Sequence, residues 1–130
     1  MGAFDMLSIA NTGMGAHQTW LDALAGNIAN VNTIKPTSEA AVTAKFPVFT
    51  ADANGGVDVA GFAQSSTEGI VVNSPDSPLA DANGNVRAPS IDMASQMSQL
   101  IMAQRGYQGS VQVTKSAQDT YDSALSIGAK

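Results

Sequence analysis

The 130-residue chain has no cysteine, which excludes disulfides and thiolate-bound metals. Six lysines and arginines stand against eleven acids, for a formal net charge of -5, and the basic residues nowhere cluster. Nucleic acid is therefore not expected as a partner, because phosphate binding needs grouped cations. Aromatics make up only 5% of the chain, and much of its 44% hydrophobic content is alanine. Packing of smooth surfaces is favoured over one dense centre. Uninterrupted apolar runs are only a few residues long, so no direct membrane insertion is expected. The opening, MGAFDMLSIA, carries Asp5 where a secretory signal wants positive charge, and no apolar core of the needed length follows. Export by a cleaved signal peptide is not expected.

Catalytic chemistry is also short of material. The one histidine, His17, has no second His or Cys at metal-ligand spacing. The stretch DANGNV at Asp81 faintly resembles a calcium loop, but Gly84 comes two positions early and Val86 stands where the sharp turn needs glycine. Asp92, moreover, replaces the bidentate Glu. It reads as a turn. A hydrolase would need convergence among Glu39, Asp52, Asp58, Glu68, Asp76 and Asp81, whose spacing shows none. No catalytic, cofactor-binding or metal-binding residue is assigned, no cofactor is expected, and the protein is not expected to be an enzyme.

Proline divides what is present. All five prolines lie between Pro36 and Pro89, and each would cost roughly 3 kcal/mol inside a helix. The division gives three segments: 1–35, 36–89 and 90–130. In the first, Leu7, Ala10, Met14, His17, Leu21, Leu24, Ile28 and Val31 recur at steps of three and four, a heptad seam. A second row, Met6, Gly13 and Trp20, widens the apolar face beyond what one partner helix covers. Gly13 and Gly15 suggest a bend or a late start. In the last segment Ser90 is the expected N-cap, with Asp92 in the first turn. Met93, Met97, Leu100, Tyr107, Val111, Tyr121 and Leu125 then fall on one heptad track closed by Gly128. The fold class expected is mainly α: two long terminal helices, about 40 and 55 Å, packed as a coiled-coil-like layer, with a small irregular β-containing insert between them.

The insert holds three β-type runs, KFPVFT, GVDVAGF and GIVVN, and the turn dipeptides Asn54-Gly55 and Asn83-Gly84. The pentapeptide ADANG occurs twice, at 51–55 and 80–84, and reads as shared turn chemistry rather than a repeat. The first helix ends in amide: Asn27, Asn30 and Asn32 precede Thr33 and Pro36. Either these amides cap a solvated helix end, or they contact neighbouring subunits across a packed one. Pairing the two helices with each other would leave Met6, Trp20 and an alanine-rich flank uncovered, which points to completion by other chains. Ala103, Gly106 and Gly109 would let a neighbouring backbone come close.

The run GMGAHQTWLDALAGNIANVNT resembles the N-terminal signature of the bacterial flagellar axial proteins. Ala16, Leu21, Asp22, Asn27, Ile28, Ala29, Asn30, Asn32 and Thr33 fall on it. SPDSPLADANGNVRAPSIDM, AQRGYQGSVQV and ALSIGAK resemble the proximal-rod members of that family, as do Lys45, Val48 and Phe49. His17, Trp20, Gln96 and Ser110 depart from the family pattern. The resemblance implies a structural subunit of the basal-body rod in the periplasmic space, polymerising through its terminal helices into a drive shaft that encloses the export channel. It implies as partners other flagellar rod proteins, copies of itself, the flagellar type III export apparatus and the base ring. The subunit interface is expected at Leu21, Leu24, Asn27, Ile28, Asn30, Val31, Thr33, Met97, Leu100, Tyr107 and Val111. The alternatives are another axial or rod protein, or an export-related helical binding module not built into the rod.

Overall fold

The computed structural model describes residues 3–128, so the outermost positions of both terminal segments lie outside the described residues. Two helices, α1 (Ala3–Ala29) and α2 (Met93–Gly128), flank five strands. These are β1 (Lys35–Pro36), β2 (Lys45–Ala51), β3 (Val57–Gln64), β4 (Ile70–Asn73) and β5 (Asn85–Ala88). The three expected β runs are β2, β3 and β4. The strands form a two-stranded sheet, β2-β3, and a three-stranded sheet in the order β1-β5-β4. Both neighbours of β5 run antiparallel to it.

The helices differ from expectation at two points. α1 starts at Ala3, not late, and continues through Gly13 and Gly15. A helix packed along one face tolerates glycines that a solvated one would not. α2 is capped by Asp92 rather than Ser90. The Asp92 carboxylate accepts from the N–H groups of Ala94 at 3.2 Å and Ser95 at 3.3 Å, while its carbonyl accepts from Gln96 N–H at 3.0 Å. A carboxylate at this position also meets the positive end of the helix dipole, which a serine hydroxyl does less strongly.

The chain divides into two compact units. The first takes Met1–Leu21, Pro47–Gly61 and Ile101–Lys130. Here the helices lie antiparallel. Phe4 meets Tyr121 edge to face at 5.2 Å, Gly13 lies at Ser110, and His17 lies over Gly106. A Cβ on Gly106 would come within 2.8 Å of three His17 ring atoms, so this small residue of α2 receives a side chain of its own α1. Ala10, Ala16, Ala103 and Ala117 are buried. The tip of the β2-β3 hairpin rests on α1: Thr12 Oγ1 accepts from Val57 N–H at 3.1 Å and donates to the Ile9 carbonyl at 2.7 Å. Gly56, with φ of +102°, lies against Thr12 where a Cβ would overlap the hydroxyl.

The second unit takes Asp22–Phe46 and Phe62–Leu100. Val86 at the centre of β5 is 1% exposed, as is Leu24 of α1, and these are the largest fully buried side chains among the described residues. Pro36 and Val72 sit opposite Val86 on its two sides. Arg87, next along β5, donates from its guanidinium to the carbonyls of Thr37 at 2.8 Å and of Glu68. It thereby ties two loops to the sheet.

Both ADANG pentapeptides fold alike. Asp52 and Asp81 each accept through Oδ1 from the N–H two residues on, Asn54 and Asn83, at 2.8 Å in both turns. Gly55 and Gly84 donate to the carbonyls of the same aspartates at 3.0 and 2.9 Å, both with positive φ. Asp81 is further engaged. Its carboxylate accepts from Asn85 N–H at 3.0 Å and from the Thr37 hydroxyl at 2.9 Å. The backbone N–H groups of Asn85 and Asn83, then the Thr37 hydroxyl, hold its carboxyl below the ordinary value of 3.8, against a small opposing effect of burial. A depressed folded-state pKa contributes stability that is present above the unfolded value and lost as pH falls through the folded one. Protection of the Asn83 and Asn85 amides, taken relative to their intrinsic exchange rates, should therefore fall below about pH 4, and Asp81→Asn should flatten that acid dependence. Protection that stays independent of acid in the unsubstituted chain would contradict this.

Candidate assembly surfaces

α1 buries the face that its heptad pattern marks. Ala10 and Leu24 are buried, and Leu7, Met14, His17, Leu21, Ile28 and Val31 are half-buried. The inward face of α2 is turned one position from the expected track. Gln96, Leu100, Ala103, Tyr107, Ser110, Thr114, Ala117 and Tyr121 are buried or half-buried, again at steps of four and three. Met97 and Val111 are 45% and 43% exposed, and Leu125 is 55% exposed. Leu100, Tyr107 and Tyr121 belong to both tracks. The rotation has a steric cause: the small positions 103, 106 and 110 take up the bulk offered by α1, as at His17 and Gly106.

The amides at the end of α1 divide their work. Asn30 Nδ2 donates to the Gly26 carbonyl at 2.8 Å and its Oδ1 accepts from the Thr33 hydroxyl at 3.2 Å, closing the helix locally. Asn27 is 3% exposed and faces sideways into the second unit. Its Nδ2 donates to the Lys45 carbonyl and to Gln96 Oε1, both at 2.9 Å, and its Oδ1 accepts from Lys45 N–H at 2.8 Å. One side chain thus joins α1 to the start of β2 and to the first turns of α2. Neither role expected of it, a solvated cap or a contact to a neighbour, includes this tie. Side-chain spacing alone does not reveal it, because the partner atoms on Lys45 are backbone.

Of the expected interface residues, then, Leu24 and Asn27 are enclosed by this chain. Leu21, Ile28, Asn30, Val31, Leu100 and Tyr107 are half-buried, and Thr33, Met97 and Val111 are exposed. Beyond them, Ile101, Met102 and Val113 are each at least half exposed on α2. Sequence periodicity passes over these three because they lie off the track of larger apolar residues. A shallow groove in the first unit runs past Met6, Gly109, Val113 and Ala117, with open space above Gly109.

Among the described residues no group of three or more His, Cys, Asp or Glu is placed to share a metal ion. No described helix is long and apolar enough to cross a membrane. What the surfaces offer is exposed apolar helix.

Comparison with known proteins gives this surface its context. Residues 82–127, from the Asp81 turn through β5 and nearly all of α2, match the family model described as flagellar basal body rod FlgEFG protein C-terminal. The flagellar basal-body rod protein FlgC of Salmonella typhimurium is 31% identical, with 98% of this chain and 99% of the relative aligned. FlgC of Escherichia coli O6:H1 is 30% identical over the same shares. This chain belongs to the FlgC family of flagellar basal-body rod proteins. It is a structural component of the rod. FlgC of Borreliella burgdorferi, 25% identical over 149 aligned positions, still spans 98% of both chains. The FlgC relationship therefore covers both helices and the strands between them, and not the C-terminal helix alone.

Proposed function

We propose that the chain is a rod subunit that polymerises through its terminal helices, with copies of itself and other rod proteins as neighbours. The carrying observation is the exposed apolar surface of α2, at Met93, Met97, Ile101 and Val111, in a chain whose relatives are rod proteins. Met97, Val111, Thr33 and the half-buried Leu21, Ile28, Asn30, Val31, Leu100 and Tyr107 form the contacts. Leu24 and Asn27 hold those residues in place from inside. Segments 1–35 and 90–130 build the polymer core, and 36–89 is the insert carried on it. The resulting shaft transmits torque and encloses the export channel without catalysing a reaction. The subunit reaches the periplasmic space through the flagellar type III export apparatus, and the rod stands on the base ring.

The test separates folding from assembly. Met97→Asp and Val111→Asp alter exposed positions and should keep the helical content and thermal midpoint of the unsubstituted protein. Each would bury an unpaired carboxylate in a subunit contact, costing several kcal/mol, with every 1.4 kcal/mol a factor of ten. Incorporation into isolated basal bodies should fall at least about 100-fold, with loss of swimming. Normal incorporation of both variants would refute the assignment of this face.

A further inference from the structure

Among the described residues the three-stranded sheet ends on β4, whose outer edge pairs with no further strand. Ile70, Val71 and Val72 are 52%, 56% and 43% exposed. Successive residues of a strand point to opposite faces, so β4 shows apolar side chains to solvent on both. Among the described residues its backbone pairs only with β5, and no other backbone hydrogen bond reaches Ile70–Asn73. The segment 41–44 bonds to the stretch just before it, Ala41 N–H to the Thr67 carbonyl at 2.9 Å and Ser65 N–H to the Ala44 carbonyl at 2.9 Å, and then stops short. Edge strands are normally protected by a charge, a proline or a bulge. β4, IVVN, carries no charge and no proline.

Charge lies just beyond its ends instead. Glu68 and Asp76 are both exposed, and neither carboxylate has an ion-pair partner among the described residues. We propose that β4 accepts an extended segment of a different protein, one with cationic side chains near both ends of the paired stretch, as a fourth strand of the β1-β5-β4 sheet. Main-chain hydrogen bonds would supply affinity, while the apolar side chains and terminal charges would select the partner. A second copy of this chain is the wrong occupant. Antiparallel pairing of two β4 strands brings Glu68 of one toward Asp76 of the other, and parallel pairing sets each acid against itself. Either arrangement opposes like charges across a strand pair, which destabilises it.

The proposal rests on the rod reading, and photocross-linking in isolated basal bodies tests the two separately. A photoreactive amino acid is placed at Val71 in one variant and at Val111, on α2, in another, and the linked peptides are identified by mass spectrometry. The expected result is a Val71 link to an extended segment of another protein with Lys or Arg close by. In a Glu68→Lys, Asp76→Lys background its yield should fall about tenfold, while the Val111 link persists. A Val71 probe that links to another copy of this chain, to a helix, to a segment without cations, or to nothing while the Val111 probe links, overturns the proposal and leaves the rod reading standing. Absence of the Val71 variant from basal bodies that contain both the unsubstituted chain and the Val111 variant overturns the proposal alone; absence of the unsubstituted chain itself from basal bodies overturns the two together.

Discussion

Leu24→Asp should leave almost no folded protein at room temperature, whether or not rod partners are present. Leu24 is 1% exposed within the single chain, and only Val86 rivals it as a large, fully buried side chain among the described residues. A carboxylate there would be cut off from water. Substitutions that bury an unpaired charge are among the few that cost more than about 4 kcal/mol. Native proteins have only about 5–15 kcal/mol to lose, and a core this poor in large side chains puts the chain toward the lower end. Far-UV circular dichroism and the urea midpoint of the isolated protein read the effect directly. Val111→Asp, 43% exposed in the native residue, serves as the contrast and should unfold like the unsubstituted chain. If Leu24→Asp folds normally and fails only to assemble, then Leu24 faces a neighbouring subunit and not its own core.

Asn27→Asp is the second large effect, and it is nearly isosteric. The native amide donates both of its hydrogens, to the Lys45 carbonyl and to Gln96 Oε1, at 2.9 Å each. An oxygen in place of that nitrogen opposes an acceptor to two acceptors at a site 3% exposed. Gln96 can turn its amide over and donate; the Lys45 carbonyl cannot. A loss of about 3 kcal/mol or more is expected at neutral pH. Burial and the facing carbonyl raise the folded-state pKa of the introduced carboxyl above its unfolded value of about 3.9. The penalty is therefore full above the raised pKa and shrinks as pH falls through it, because protonation restores a donor. Urea titrations at pH 7 and pH 4.5 should show the gap to the unsubstituted protein narrowing on acidification. Equal midpoints at pH 7 would mean that the amide bonds are not made.

These two positions also mark how far the sequence could be read. The seam of α1 was legible because its inward positions are mostly large and apolar, and hydrophobic periodicity detects that kind of residue. α2 uses the opposite device. It turns Ala103, Gly106, Ser110 and Ala117 inward and leaves Met97 and Val111 outside, so a track chosen for bulk lands one position away. The longer strands were visible as β-branched or aromatic runs. β1 is two residues long, and β5, NVRA, has one β-branched residue; their pairing comes from tertiary context. Asp92 displaced Ser90 as cap, so the helix starts two residues later than Pro89 suggests. Asn27 stood out in the sequence by its company of amides, but its partners are main-chain atoms of Lys45 and a side chain 69 positions away.

That separation has a kinetic meaning. The clasp of Asn27 on Gln96 closes a loop of 69 residues, and contacts so remote in sequence are slow to form because the chain must give up loop entropy first. The turns at Asp52 and Asp81, whose bonds span two to four residues, need no such search. A folding chain would thus pass through a stage with its hairpin tips already bent and its two ends still apart. It would become rigid only after the last third had arrived.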